Sequence, residues 1–395
     1  MTALILAAFA CTRLLLLWSA THPDEYAPEG APFLADVDLF NRYAVAIVDE
    51  DEAPYSGFAM EYPPGVLPFI VAPQLMDPEA VSYQQGFIAL MLLVDVAGLV
   101  GLMRVARRGG SPLGVGLWIA LLPLLGPLAY ARLDLVPAVA TIWAVERAST
   151  GASFGTGAAL GFGTLAKLYP ALLMPAALVA SSRRRRLAAG AALFVMLPLL
   201  PLAGSLDEML QQAVADQMGR GIHIESTWGS LLFLAGKLGH ETAIRSGFST
   251  LHFEGSAPHV MRLLSLGLTA AALGAGCWLA REARVGCHRA SRSGAVMFAT
   301  LATIVGVSGV FSPQYVLWLF ALGAAAVCMR ESAIKLSAAM LIPVAGATQM
   351  IYPFAYDKIL ARELPALLLL LTRNLLVLTS GLLAFWTLAR SRDAK

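Results

Sequence analysis

Asp36 and Asp38, in Asp36-Val37-Asp38-Leu39-Phe40, open a polar stretch that follows the first apolar run of the chain. Farther along, single cations interrupt apolar surroundings. They are Arg132 in Ala131-Arg132-Leu133-Asp134, Lys167 in Lys167-Leu168-Tyr169-Pro170, and Arg220 in Arg220-Gly221-Ile222-His223-Ile224-Glu225-Ser226. These types together suit a displacement reaction. A carboxylate takes a proton from an attacking hydroxyl, and fixed cations stabilise the charge that develops on a departing phosphate. A carboxylate set opposite the leaving group gives inversion in a single step. The chemistry requires no cofactor, although Asp36 and Asp38 could hold a divalent cation through oxygen ligands alone.

Asp36 and Asp38 are two residues apart, so on a helix they face different ways and only one can serve a given site. Asp36 has apolar neighbours in sequence and is the first choice for the base, with Asp38 the second. The run Asp49-Glu50-Asp51-Glu52 reads as a solvated face. The residues expected to shape a substrate pocket are Glu61, Tyr62, His223, Glu225, Gln314 and Tyr315, with Tyr43, Tyr55 and Trp228 as further stacking surfaces for a sugar. Arg132 and Lys167 also have a plainer reading, in which each snorkels to headgroup phosphate. The functional reading is a cationic subsite for an anionic lipid group.

The elements that must position these residues are set by composition. The chain has 395 residues, of which 58% are hydrophobic and 14% charged, with a net charge of +2. Mean hydropathy is +0.69. A soluble domain carries about 25% charged residues, so this is a polytopic all-α membrane protein. A spanning helix needs about 20 mostly apolar residues. Apolar runs near 2–19, 82–103, 114–131, 133–149, 152–167, 168–182, 187–204, 259–280, 294–311, 314–330, 333–352 and 365–389 give about twelve spans. Residues 2–19 lack the charged start of a signal peptide and contain Arg13, so they read as a retained span. Residues 63–77 hold Pro63, Pro64, Pro68 and Pro73 and cannot make a regular spanning helix. They read as a short interfacial helix.

With the N-terminus inside, alternation gathers Arg104, Arg107, Arg108, Arg147, Arg183 to Arg186, Arg281, Arg284, Arg330 and Lys335 on the inner side, as the positive-inside rule requires. The chain is then one integral-membrane domain, 1–395, with both termini cytoplasmic. Its substantial outer segments are residues 21–81, which carry Asp36 and interfacial helices, 205–258, and 353–364. The chemistry belongs on that outer face. Cys11, Cys277, Cys287 and Cys328 have no metal-ligand spacing, so no protein-bound metal site is expected. A phosphate-binding G-x-x-x-x-G-K-[ST] loop is absent. Three charges lie inside spans: Arg13, Asp95 and Arg373. Such charges either pair to fix helix packing or mark a site, and Arg13 with Asp95 is a candidate pair.

The order of these motifs resembles the GT-C superfamily of glycosyltransferases. The closer resemblance is to polyprenyl-phosphate-mannose-dependent mannosyltransferases of the phosphatidylinositol-mannoside type. It rests on Asp36-Val37-x-Leu39-aromatic, Pro54-Tyr55, Tyr62-Pro63-Pro64, Lys167-Leu168-Tyr169-Pro170, Arg220-Gly221 with Glu225-Ser226, and Ser312-Pro313-Gln314-Tyr315. The resemblance implies a GT-C fold, a polyprenyl-phosphate sugar donor, a lipid or glycan acceptor and an inverting reaction in a bacterial plasma membrane. It assigns the base role to Asp36, while the net charge of only +2 suggests no nucleic-acid partner. A secondary transporter of a polar or lipid-linked solute is the alternative, since pathway charges would also account for Arg13, Asp95 and Arg373.

Overall fold

In a computed structural model, residues 2–27, 32–76, 80–219, 221–247, 250–283 and 289–391 are described. Arg220 and Cys287 lie outside the described residues. The helices run in order α1 (Thr2–Thr21), α2 (Pro23–Tyr26), α3 (Ala35–Val48), α4 (Leu67–Gln74), α5 (Tyr83–Gly109), α6 (Leu113–Leu125), α7 (Leu135–Ser149), α8 (Ser153–Ala166), α9 (Met174–Ala180), α10 (Arg184–Leu199) and α11 (Leu206–Gly219). After strand β1 (Ile222–His223) come α12 (Thr227–Lys237), strands β2 (Ala243–Gly247) and β3 (Thr250–Glu254), then α13 (Ser256–Ala283), α14 (Arg289–Val307) and α15 (Val316–Val327). The chain closes with α16 (Lys335–Ala339), α17 (Leu341–Gln349), α18 (Tyr356–Leu360) and α19 (Leu364–Arg390).

Among the described residues, six helical segments are long and apolar enough to cross a membrane: Thr2–Thr21, Tyr83–Gly109, Arg184–Gln212, Ser256–Glu282, Lys335–Phe354 and Leu364–Arg390. Shorter apolar helices, among them Leu113–Ala129 and Pro313–Val327, fill the interior between them. The protein is an all-α polytopic membrane protein. Residues 64–74 form a 3₁₀ turn followed by the eight-residue α4, with prolines at its start and at Pro73. That is too short to span about 30 Å of hydrocarbon.

Local chemistry fixes the helix ends. Ser82 and Gln85 form a capping box at the start of α5, satisfying two otherwise orphaned donors. Gly110, with φ of 75°, ends the same helix in the left-handed conformation. Close helix packing depends on small residues. Gly157 and Gly161 of α8 face Leu187 and Ala191 of α10, and Gly190 faces Phe154, so that any Cβ at these positions would collide with backbone. This is the small-xxx-small packing by which helices associate in lipid.

The segment 221–254 departs from the all-helical expectation. It holds a small antiparallel sheet of order β1-β3-β2, with Ile222 opposite Phe253 and Ala243 opposite Glu254. Ile222, Ile224, Phe233 and Phe253 are buried there with Ile351, Ile359 and Leu367 from the C-terminal part of the chain. That secondary core fastens the segment against α18 and α19. At the far ends of α7 and α9, a cavity of about 260 Å³ is lined by Ser149, Ser153, Ala177, Ser181, Ser293 and Met297 among others. None of its lining residues is charged.

Candidate active site

Asp36 lies in the first turn of α3, where the helix dipole favours a carboxylate. Its Oδ2 accepts from Arg132 at 2.8 Å and from the Tyr62 hydroxyl at 3.2 Å. Its Oδ1 has no partner among the described residues, and the side chain is 28% exposed. One oxygen is therefore anchored while the other is presented. Asp38 points away on the same helix, exposed and without a partner among the described residues.

Arg132 sits in the turn before α7 and is almost fully buried. Besides Asp36, it donates to the Phe33 carbonyl at 3.3 Å and to the Tyr352 hydroxyl at 3.4 Å. Its Nε has no hydrogen-bond partner among the described residues. Lys167 follows α8 in extended backbone. Its Nζ donates to Asp134 Oδ2 at 2.8 Å, and Trp318 Nε1 donates to Asp134 Oδ1 at 2.8 Å. Three rings surround the ammonium, with centroids at 5.7 Å for Tyr62, 5.5 Å for Tyr315 and 5.8 Å for Trp318. These distances fall within the range of cation–π attraction.

Gly65 brings the first carboxylate and this lysine together. A Cβ at Gly65 would lie 2.5 Å from the Leu165 carbonyl carbon and 2.7 Å from the Ala166 nitrogen. Without a side chain, the turn after Tyr62-Pro63-Pro64 can rest directly on the end of α8. Tyr62 then touches both charges, bonding Asp36 and packing beside Lys167. Burial, followed by the charge of Asp36, pushes the Tyr62 hydroxyl well above its ordinary range. The hydroxyl stays protonated and donating.

An aromatic ladder leads from this cluster to a second one. Tyr169 stacks on Trp318 at 4.0 Å, Trp318 on Tyr315 at 3.9 Å, and Tyr315 faces Phe311 at 6.4 Å. The Arg373 guanidinium lies 4.0 Å over Phe311. Arg373 belongs to α19 and is fully buried. Opposite it stands Glu225, between β1 and α12, held there because the Ser226 hydroxyl caps α12 through Gly229 N at 3.0 Å. The Glu225 carbonyl accepts from Arg373 Nη2 at 2.8 Å and from Asn374 Nδ2 at 3.0 Å. The carboxylate itself is farther away, 3.7 Å from Arg373 Nη2.

Glu225 Oε2, Arg373 Nε and Nη1, and Asn374 Oδ1 are all buried without hydrogen-bond partners among the described residues. Burial pushes the Glu225 carboxyl up to about 7, against the opposing pull of Arg373 and Arg132. His223 is buried beside it and accepts from the Glu225 amide at 3.3 Å through Nδ1. Tyr315 is half-buried in the ladder, and Gln314 is half-buried in the short turn before α15. Glu61 is exposed. Among the described residues, no three His, Cys, Asp or Glu side chains are grouped so as to hold a metal ion.

The sequence profile of Glycosyltransferase family 87 matches residues 60–313, more than half of the chain. The chain belongs to glycosyltransferase family 87. No curated protein matches it. As a family 87 member it is a GT-C-like glycosyltransferase embedded in a membrane by its apolar helices. The transporter alternative falls with that membership. The matched stretch includes Tyr62, Arg132, Asp134, Lys167 and Glu225, whereas Asp36, Tyr315, Trp318 and Arg373 lie beyond its ends.

Several residues of this glycosyltransferase's cluster escaped the sequence reading. Asp134 passed as the tail of the Arg132 motif, yet it is fully buried and holds Lys167. Trp318 and Tyr352 lie in apolar runs, where nothing in the local sequence separates them from packing aromatics. Asn374, next to Arg373 in an apolar run, was the one local signal available, a polar pair where burial is expensive.

Proposed function

We propose that this glycosyltransferase moves a sugar, mannose, from a polyprenyl-phosphate donor to a hydroxyl of a lipid or glycan acceptor, with inversion, on the outer face of the membrane. The observation that carries the reading is the Asp36 carboxylate, anchored through one oxygen by Arg132 and Tyr62, with the Lys167 ammonium in its aromatic box on the other side of Tyr62. Asp36 Oδ1 takes the proton of the acceptor hydroxyl as the new bond forms at the sugar's anomeric carbon. The bond from that carbon to the phosphate oxygen breaks, and polyprenyl phosphate leaves with the electron pair. Arg132 and Lys167 offset the charge gathering on that phosphate. Tyr315 and Trp318 give a flat surface on which a sugar can stack, and Tyr62, His223, Glu225 and Gln314 complete the pocket. Arg220 is assigned to the phosphate by its sequence position alone.

The basic residues at the other end of the helices support the orientation, since Arg104, Arg108 and Arg147 gather around Glu146 there, beside the run Arg183 to Arg186. Purified protein in detergent, given radiolabelled polyprenyl-phosphate mannose and a panel of lipid acceptors, is expected to form a labelled product of inverted anomeric configuration. Retention of configuration would overturn the single-displacement mechanism. Transfer from a nucleotide sugar but not from the lipid-linked donor would overturn the donor.

A further inference from the structure

The charges of the two clusters can be counted from their partners. Asp36 faces Arg132, Asp134 faces Lys167, and Glu225 faces Arg373. The first two pairs are closed at 2.8 Å each, and both cations of those pairs are committed to a carboxylate. The third pair is open. Its carboxylate stands 3.7 Å from the nearest guanidinium nitrogen, and two of the three guanidinium nitrogens have no acceptor among the described residues. A buried arginine that neither pairs closely nor bonds through its remaining N–H groups carries a large desolvation cost. Such a group gains most from an anion brought to it.

We propose that Arg373 is a binding site for the phosphodiester of a lipid-linked sugar, and that Glu225 must take up a proton for the anion to bind. The proposal rests on the lipid-phosphate reading given above and deepens it. When Glu225 is ionised, the three carboxylates balance the three cations. When Glu225 is neutral, one positive charge is surplus and Arg373 is released to the phosphate. The groups facing Glu225 support this exchange. Arg373 comes from α19 and Arg132 from the turn before α7, while the hydroxyls of Tyr352 and Tyr356 approach from the chain before α19. His223 lies two residues before Glu225, at the end of β1. The two arginines favour the ionised form and burial opposes it, leaving the carboxyl poised close to neutral pH. An arriving anion shifts that balance toward the protonated form. The aromatic ladder from Trp318 to Phe311 runs between Lys167 and Arg373, so a sugar stacked on Tyr315 would sit within reach of both polar clusters.

The test uses the full-length protein in detergent and farnesyl methyl phosphate. This diester has no sugar to transfer, and its single negative charge is constant across the pH range. Its affinity is measured by tryptophan fluorescence from pH 6 to pH 8.5. One coupled proton makes the wild-type affinity fall by about tenfold for each pH unit once pH exceeds about 7. Glu225→Gln is expected to bind as the wild type does at low pH, with no slope. Should that variant fail to fold, calorimetry on the wild type at pH 8 in two buffers of different ionisation enthalpy reads the proton directly, and uptake close to one per diester bound is expected. A flat wild-type profile without proton uptake overturns the proposal, and so does a slope that persists in Glu225→Gln, which would move the proton to His223. In both cases the lipid-phosphate donor stands. No binding of the diester at any pH overturns the proposal, and whether labelled lipid-linked sugar is still transferred then decides the donor reading separately.

Discussion

Among the described residues, two arginine–carboxylate pairs lie fully buried, and they are built in opposite ways. Asp95 of α5 is fully enclosed, and both its oxygens are used. Arg13 of α1 donates to it through Nε at 2.7 Å and Nη2 at 3.2 Å, while the Trp118 indole and the Tyr130 hydroxyl each donate at 2.7 Å. The remaining guanidinium edge bonds the Ile119 carbonyl at 2.9 Å. Nothing in that pair is left to bind a ligand, and its role is to lock α1 against α5 and α6. Glu225 and Arg373 are just as deeply buried, yet their carboxylate–guanidinium contact is long and four polar atoms around it have no hydrogen-bond partner among the described residues. A closed pair fixes structure, whereas an open one holds free energy in reserve for a ligand. Asp36 lies between these extremes, with one oxygen closed and one open.

The largest effect on the fold should come from breaking the closed pair. Asp95→Ala leaves Arg13 buried without its counter-ion and is expected to cost about 3–5 kcal/mol, read as the shift in a detergent unfolding transition. The double change Arg13→Met with Asp95→Leu should recover most of that loss, because no charge is then left unpaired. If the double variant is as unstable as the single one, the pair is doing more than locking helices.

The open pair should respond to pH instead. The Glu225 carboxyl lies at about 7 in the folded protein, above its ordinary value of 4.5. The folded state therefore holds more protons than the unfolded state between those values, and stability falls as pH rises through that window. The expected loss across the whole window is about 3 kcal/mol. Glu225→Gln should flatten that slope, where Asp95→Ala should not. Equal slopes in wild type and Glu225→Gln would erase the distinction between the pairs. The smallest effect is expected at Asp38. The exposed Asp38→Asn should change stability by less than about 0.5 kcal/mol and leave sugar transfer near the wild-type rate. A large rate loss there would move the base role to Asp38.

The sequence was informative about these pairs to different degrees. Apolar run length located the long helices, and the prolines at 63, 64, 68 and 73 separated the short α4 from a span. Both signals are local, set by backbone hydrogen bonding and the thickness of hydrocarbon. Arg13 with Asp95 could be suspected because a charge in a span needs a partner. The placement of Asp36 apart from Asp38 followed from helical geometry alone. What stayed hidden depends on long-range contact. Asp134 owes its role to Lys167 and Trp318, which reach it from just beyond α8 and from α15. The partnership of Glu225 with Arg373 joins the short turn between β1 and α12 to the last helix. The small sheet at 222–254 has strands of two and five residues, too short to show alternation above the surrounding polarity.

The central claim is that Asp36 is the base of a membrane sugar transfer, and one comparison tests it most directly. Wild type and Asp36→Asn are purified side by side, matched for monodispersity and unfolding temperature, and assayed for transfer of labelled sugar from polyprenyl-phosphate mannose. Asparagine keeps the shape and an oxygen for Tyr62 and Arg132 but cannot take the acceptor's proton. The rate should fall by roughly 10²–10⁴-fold, with donor binding retained. A folded Asp36→Asn protein that transfers sugar at the wild-type rate would contradict the account.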